Sequence, residues 1–265
     1  MQLQKQHSQR KHISFSELKT WNECPRKHKI SYVDGVKLFT GNEYTAFGTA
    51  IHYVCENAVV QPQNNNILIK IFHDKFNEEI NKLTCETRPK LISDMKSQGE
   101  NLIEYILPNL TDVFGDYEVI SVEERLLENM IEFDFVDTKF KGFIDLVIKT
   151  TDGKYHIIDW KTCSWGWDAQ RKSDPMTVYQ LSFYKRYFSN KHNIDEKNIE
   201  TYFALLKRTA KSNKVEIFRV TNGPRRIKNA MQLLEKALIH INNKNYIKNR
   251  LSCKSCEYYK TKHCT

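Results

Sequence analysis

Long apolar runs are missing from this sequence of 265 residues. No uninterrupted stretch reaches about 18 apolar residues, the length that a membrane-spanning helix needs. The polar, basic segment from Met1 to Lys11 is followed by no apolar stretch, which argues against a secretory signal. Internal repeats and long linkers are also missing. We therefore expect a cytoplasmic, non-membrane protein with a flexible basic arm at residues 1–12 and one domain at residues 13–265.

Acidic residues are fewer than basic ones. The chain has 32 Asp and Glu against 41 Lys and Arg, a formal net charge of +9 at pH 7. Such an excess favours a polyanionic partner, although lysine-rich solvated faces would produce the same balance. Hydrophobic residues make up 40% and charged residues 28% of the chain, as is typical of a globular protein with a buried core.

Cysteines are clustered at the end of the chain. There are seven in total, and disulfides are rare in a reducing compartment, so clustered thiols indicate a metal. Cys253, Cys256 and Cys264 supply three ligands, and Cys24 is available as a fourth to close a tetrahedral site. Spacing alone leaves zinc and an iron–sulfur cluster open, and His28 or His263 could substitute in a zinc site. Three further cysteines show no spacing pattern and are expected to be ordinary: Cys55, Cys85 and Cys163.

The hydrophobic period changes along the chain from helical to strand-like and back. Helices are expected at 14–24, at 48–60, near 67–83 and 94–110, at 177–188 and at 224–246. Strands are expected at 117–132, 139–149, 155–160, 201–207 and 214–220. Asp152-Gly153 is a hairpin signal between the second and third of these strands. This order predicts an α/β or α+β domain with a mixed central β-sheet, a helical N-terminal part and a Cys-rich tail.

Two acidic residues lie in apolar strands. An Asp in mid-strand, as Asp145 is, is unfavourable unless it is paired or bound to metal. Asp159 and Lys161 share one face of the next strand because strand side chains alternate. Two carboxylates and a lysine are suited to hold Mg²⁺ or Mn²⁺ and to hydrolyse a phosphodiester. The alternative is a structural ion pair of these aspartates with Lys161 or Lys141.

Four motifs occur in a fixed order. They are His52 in a helix, Gly142-Phe143-Ile144-Asp145, Ile158-Asp159-Trp160-Lys161-Thr162, and Tyr179-Gln180-Leu181-Ser182-Phe183-Tyr184. The set resembles the RecB-like branch of the PD-(D/E)XK nuclease superfamily, and the resemblance implies a restriction-endonuclease-like core. It further implies metal binding by His52, Asp145, Asp159 and the backbone carbonyl of Trp160. Lys161 would be the catalytic lysine, and Gln180 and Tyr184 would line the site against DNA.

The cysteines extend this resemblance. RecB-like nucleases with an iron–sulfur cluster, including AddB-type domains, place one cysteine before the nuclease core and three after it. By similarity, Cys24, Cys253, Cys256 and Cys264 would bind a [4Fe–4S] cluster, with zinc as the alternative.

Further residues are weaker candidates. Glu56 is one helical turn beyond His52 and could support it, and Glu124 lies on the strand before Asp145. Three tryptophans, Trp160, Trp165 and Trp167, are candidates for stacking on unpaired bases, with a position in the core as the alternative for Trp160. Three basic groups could contact phosphates: Arg26, Lys27, His28 and Lys29; Lys207, Arg208 and Lys211; and Arg225, Arg226 and Lys228.

The sequence therefore favours a metal-dependent DNA nuclease that acts on DNA ends or single strands in recombination, repair or DNA processing. The alternatives are a non-catalytic DNA-binding or scaffold subunit with the same fold, and a restriction-type endonuclease. The sequence shows no helicase segment, so any unwinding is expected to come from a helicase or recombination partner.

Overall fold

Helices and strands follow each other in nearly the predicted order. The computed structural model describes residues 11–61 and 63–264. Its elements are β1 (His12–Ser14), α1 (Phe15–Glu23), α2 (Pro25–His28), a π-helix (Lys29–Val33), α3 (Glu43–Val60), α4 (Asn65–Asn81), α5 (Pro89–Ile103), α6 (Ile106–Phe114), β2 (Tyr117–Asn129), β3 (Lys139–Thr150), β4 (Tyr155–Cys163), α7 (Ala169–Ser173), α8 (Pro175–His192), a 3₁₀ turn (Glu196–Asn198), β5 (Ile199–Lys207), β6 (Val215–Val220), α9 (Pro224–Asn242) and a second 3₁₀ helix (Arg250–Ser255).

The strands form one mixed sheet of six strands with the order β1-β3-β4-β5-β6, and β2 also pairs with β3. β2 runs antiparallel along nearly the whole of β3 and so occupies one of its edges. β1 and β4 therefore share the other edge. β1 pairs in parallel with residues 139–141, and β4 pairs with residues 146–149. Among the described strands, none pairs with residues 142–145 on this edge, so the sheet is open there.

Helices cover both faces of the sheet. On one face α1, α8 and α9 pack on a core that includes Phe140, Phe183, Phe203 and Leu234. On the other face α3 to α6 enclose a second core around Phe47, Phe72 and Trp160. This is the mixed α/β architecture that the sequence predicts. Within the described residues, no helix is long and apolar enough to cross a membrane.

Two helix boundaries differ from their predicted positions. α3 begins at Glu43 rather than Gly48, because the Asn42 side chain accepts hydrogen bonds from the N–H groups of Tyr44 and Thr45, both at 3.1 Å. The last long helix ends at Asn242 rather than at residue 246.

The helix predicted at 94–110 is two helices, α5 and α6, with a break at Glu104 and Tyr105. Pro108 is not the end of a helix. It is the third residue of α6, where the missing N–H has no partner within the helix in any case. The prediction of one helix ending at this proline is therefore wrong.

The predicted N-terminal arm, residues 1–12, lies outside the described residues up to residue 10. Its last residue, His12, begins strand β1, which the sequence pattern did not indicate. β1 pairs His12 with Lys139 and Ser14 with Lys141, and the Lys139 N–H donates to the Lys11 carbonyl at 3.1 Å. Three residues are too few for a periodic signal, and only the partner strand makes this segment a strand.

Candidate active site

Asp145 lies where β3 and β4 separate. The pairing of the two strands ends at Leu146 and Ile158, whereas the sequence suggested that residues 142–145 would pair with 155–158. The Asp145 carboxylate takes the place of the missing backbone partner, since its Oδ2 accepts a hydrogen bond of 2.7 Å from the Trp160 N–H. The separation of the strands thus turns this side chain towards β4.

Asp159 is a buried carboxylate on β4, with 1% of its surface exposed. Its Oδ2 lies 2.6 Å from Lys161 Nζ, as expected for two residues on one face of a strand. Its Oδ1 accepts a 2.8 Å hydrogen bond from Gln180 Nε2, and Gln180 Nε2 also lies 2.9 Å from Tyr184 Oη. The predicted face of α8 therefore points at the carboxylate.

The positive charge near Asp145 and Asp159 is too small to balance both carboxylates. Burial, and then the charge of Asp159, raises the pKa of Asp145 well above its usual range. Burial also raises the pKa of Asp159, although Lys161 acts in the opposite direction. One lysine therefore does not fully compensate two buried carboxylates. A hard divalent cation would supply the missing charge, so the pair fits Mg²⁺ or Mn²⁺ chemically.

His52 on α3 completes the predicted group. Its Nδ1 lies 3.7 Å from Asp145 Oδ2, and the ring is hydrogen-bonded to the backbone of Trp160. Burial and the nearby Lys161 lower the pKa of His52 to about 4. The imidazole is therefore neutral at pH 7, the form that binds metal ions.

The structure thus brings all the residues predicted for the catalytic site into one region. In residues 11–61 and 63–264, no three His, Cys, Asp or Glu side chains are already arranged as a metal site. At Asp159 the reason for the lack of such an arrangement is that Lys161 and Gln180 already contact its two carboxylate oxygens.

Glu123 is a neighbour of the site that the sequence interpretation missed. It has a left-handed backbone, with φ of 49°, at an irregularity of β2. Its pKa is raised by burial and by the charge of Asp159, and it is hydrogen-bonded to Glu56. Burial and then Glu123 raise the pKa of Glu56 to about 7. Glu56 therefore pairs with a second carboxyl group rather than with His52.

Glu124, which the sequence suggested as a weak candidate, is bonded elsewhere. Its Oε1 lies 2.5 Å from Lys191 Nζ and 2.9 Å from His192 Nε2. Two adjacent glutamates cannot be told apart by composition, and the turned backbone at Glu123 decides which one faces Asp159.

Two of the three tryptophans are core residues. Trp160 lies within β4 and is 1% exposed, and Trp167 is 8% exposed against Phe203. Trp165 alone of the three is open to solvent, at 72%. The suggestion of a stacking loop is therefore wrong for Trp160 and Trp167, because both pack on the sheet.

Several of the predicted phosphate-binding cations are used inside the protein. His28 is fully buried against Glu17, with 2.8 Å between Nε2 and Oε1. Lys207 is buried and lies 3.1 Å from Glu216. Burial explains why a count of basic residues overestimates the surface available for phosphate.

The four clustered cysteines meet at one place. Cys24, Cys253, Cys256 and Cys264 all line the same small cavity. The Asn249 N–H donates to Cys24 Sγ at 3.3 Å, a contact that suits a thiolate ligand. Lys27 lines the same cavity, and the hydrogen bond and charge of Glu23 raise its pKa against the lowering effect of burial. His28 is not part of this lining, so its suggested role as a zinc ligand has no support here.

Fold and site together define a class of protein. A mixed sheet flanked by helices, opened beside a buried carboxylate pair and a lysine, matches a restriction-endonuclease-like nuclease fold. A sequence profile of the PD-(D/E)XK nuclease superfamily matches residues 12–261. The chain therefore belongs to the PD-(D/E)XK nuclease superfamily, whose members are hydrolytic nucleases acting on nucleic acid.

A solved structure supports the fold. A protein named as a candidate exonuclease from Eubacterium rectale superimposes with a TM-score of 0.57 at 14% identity, over 93% of this chain and 86% of that chain. At such identity the likeness concerns the fold alone. The structure of SSO0001 gives a TM-score of 0.44 at 15% identity, over 96% of this chain and 86% of that one, which is too low to support an argument. No curated protein matches this chain.

Proposed function

We propose that this protein is a Mg²⁺- or Mn²⁺-dependent deoxyribonuclease that cleaves DNA ends or single strands, most simply as an exonuclease. The observation that carries the proposal is the pair of Asp159, which is buried, and the half-buried Asp145. Burial raises the pKa of both carboxyl groups although Lys161 is nearby, which supports a deficit of positive charge. The net charge of +9 favours DNA as a polyanionic substrate.

Each residue of the site has its own role in the proposed reaction. Asp145, Asp159, His52 and the Trp160 carbonyl would hold the metal. When bound, a divalent ion polarises the phosphate and lowers the pKa of water. Lys161 offsets the negative charge that develops in the transition state. Gln180 holds one oxygen of Asp159 in place, and burial raises the pKa of Tyr184 far above neutrality, so its hydroxyl stays protonated.

We also place the protein in the RecB-like branch, with Cys24, Cys253, Cys256 and Cys264 as ligands of a [4Fe–4S] cluster or, alternatively, of zinc. The support is a donor set of four free thiols around one cavity. A role in DNA recombination, repair or processing beside a helicase follows from that branch. A non-catalytic scaffold is less well supported, because the lysine and both carboxylates are in contact or in charge interaction.

The test is cleavage of labelled single- and double-stranded DNA by Asp145→Ala, Asp159→Ala and Lys161→Ala variants in Mg²⁺ and in Mn²⁺. Each change removes a ligand or a charge that acts on the transition state, so we expect the rate to fall by a factor of about 10² or more. Asp152→Ala is the matched control, since Asp152-Gly153-Lys154 is the same acid-x-Lys pattern in an exposed turn. Cleavage by Asp159→Ala at the parental rate would refute the proposed site.

A further inference from the structure

A cavity of about 860 Å³ adjoins the carboxylate pair. Asp145, Gln180 and Tyr184 line it at the candidate active site, and Ser14 and Phe15 line it at the junction of β1 and α1. The cavity lies along the open edge of β3, between the part that pairs with β1 and the part that pairs with β4. Its size is in the range of pockets that enclose small organic ligands, which suits a short stretch of unpaired nucleotides.

One wall of this cavity combines a cation with an aromatic ring. Lys141, Phe143 and Asp145 are alternate residues of β3, and all three line the cavity. Phe143 is 41% exposed, and Lys141 Nζ lies 5.8 Å from the centre of its ring. Alternate residues of a strand are about 7 Å apart. Along β3 away from Asp145, the ring of Phe143 therefore comes first, as a surface for stacking, and Lys141 comes next, as a cation for a phosphate.

The remaining lining adds a second aromatic ring and more positive charge. Tyr32, on the π-helix, is 37% exposed and lines the same cavity. Lys11 and His12 contribute basic groups. The carboxylate of Glu17, which also lines the cavity, is bonded to the buried His28. Apart from Asp145 of the active site and Glu17, which is bonded to His28, the charged side chains that line the cavity are basic.

A single exposed phenylalanine is common on protein surfaces and needs no function. Phe143 differs because a lysine lies over its ring and because both residues share a cavity with Asp145. A comparable pair, Lys149 of β3 over Tyr155 of β4 at 5.2 Å, does not line this cavity. Position, rather than the pairing itself, distinguishes Lys141 and Phe143.

We propose that this cavity holds the single strand of DNA next to the scissile phosphate, with a base stacked on Phe143 and a phosphate bound by Lys141. Stacking on a side chain requires a base whose face is free, and the faces of paired bases within a duplex are already covered. Phe143 would thus make the enzyme select single strands. The proposal rests on the proposed nuclease function and assigns the residues that position its substrate.

Binding of fluorescently labelled single-stranded DNA, and of a hairpin duplex, is measured by anisotropy in EDTA, so that cleavage does not interfere. Loss of one stacked base corresponds to about a fivefold or larger increase in Kd, and we expect this for Phe143→Leu with single strands but not with the duplex. For Lys141→Ala, the slope of log Kd against log salt should fall by about 0.7, the value for one phosphate contact on a single strand. In Mg²⁺, KM should rise in both variants while kcat changes little.

Matched controls are Lys149→Ala, from a lysine–aromatic pair outside the cavity, and Phe39→Leu, a phenylalanine outside the cavity that is 57% exposed. Both should bind like the parent protein. Parental Kd values and salt slopes in Phe143→Leu and Lys141→Ala would overturn the cavity proposal, as would failure of the parent protein to bind single strands. A parent that binds single strands through these residues but cleaves no DNA would instead refute the nuclease function alone.

Discussion

At the scale of single residues, the site depends on groups whose charge is set by their surroundings. Asp159 is buried and Asp145 is half-buried, one lysine, Lys161, interacts with the charge of both, and His52 is held neutral. In the proposed site, a neutral imidazole beside two carboxylates would add a softer ligand to an otherwise oxygen-based set, which would favour Mn²⁺ over Mg²⁺.

The first residue-scale prediction concerns His52. His52→Ala should lower the cleavage rate by about tenfold. This fall is smaller than that expected for the loss of a carboxylate, because a neutral imidazole does not balance the charge of the metal ion. The preference for Mn²⁺ over Mg²⁺ should decrease at the same time. Rates in each metal are compared with those of His73→Ala, a histidine that is bonded to Glu100 at 2.6 Å outside the site. An unchanged ratio of the Mn²⁺ and Mg²⁺ rates would exclude His52 as a ligand.

The second residue-scale prediction concerns pH. Burial and Glu123 raise the pKa of Glu56 to about 7 in the folded protein, above its value of about 4.5 in the unfolded chain. A raised folded pKa gives stability that is complete below pH 4.5 and is lost as the pH rises through 7. Glu56→Gln, which stays neutral, should therefore raise Tm at pH 8 and leave it nearly unchanged at pH 4.5.

The size of this effect is limited by the partial exposure of Glu56. After allowance for solvent screening we expect about 1 kcal/mol, or roughly 2–4 °C in Tm. Tm is measured in EDTA, because a bound cation would add its own charge. Equal shifts at both pH values would show that the carboxyl pair does not carry the pH dependence.

At the scale of elements, the contact between β3 and α8 joins the sheet to the catalytic side chains. Gly142 allows this contact, because a Cβ at this position would lie 2.9 Å from Cε1 of Tyr184 and 3.3 Å from Cε1 of Phe140. Tyr184 in turn is hydrogen-bonded to Gln180, which holds Asp159. A change in strand packing should thus reach the active site through α8.

Gly142→Ala is expected to displace the Tyr184 ring and loosen the hold of Gln180 on Asp159. We predict a free energy of unfolding lower by about 1–3 kcal/mol, as for other overpacked sites, and a clear fall in kcat. Gly48→Ala on α3 is the control, since its nearest contact would be an ordinary 3.4 Å to Thr162 Oγ1 and alanine favours a helix. If Gly142→Ala keeps the parental kcat although its denaturation midpoint is lower, the packing of this strand does not affect catalysis.

At the scale of the whole molecule, the two ends of the described chain meet. Asn249 and Ser252 side chains donate to the Glu23 carbonyl at 2.9 and 2.8 Å. Tyr258 donates to the Val36 carbonyl at 2.8 Å and packs with Ile30 and Cys264. The C-terminal tail therefore supports the segment that carries Tyr32, one wall of the cavity.

Replacement of one of the four clustered cysteines tests whether a metal joins the two ends of the chain. A metal cluster on Cys24 and Cys253 would close a loop of more than 200 residues, for which chain entropy gives about 5 kcal/mol. Cys253→Ser should therefore lower Tm and solubility and bleach any iron–sulfur absorption. The exposed Cys85→Ser is the control. Unchanged metal content and Tm in Cys253→Ser would rule out a metal site shared by these cysteines. Stoichiometric zinc without iron after anaerobic purification would keep the site but identify its metal as zinc.

Local patterns in the sequence were enough to predict the fold class, and the resemblance to the PD-(D/E)XK superfamily grouped the candidate catalytic residues. Strand alternation places Asp159 and Lys161 on one face, and a four-residue helical interval places Gln180 beside Tyr184, because both relations depend only on the period of the backbone. The register of β3 against β4 was not predictable in this way. It depends on which edge each strand occupies, and that follows from the packing of the whole sheet.

Only the tertiary structure decided which of the remaining polar and aromatic groups face the site. Glu123 rather than Glu124 approaches Asp159 because the β2 backbone turns there. Trp160 and Trp167 are buried while Trp165 and Phe143 are exposed. Burial of a side chain is settled by distant elements that pack on it, so a pattern of neighbours along the chain carries too little information to determine it.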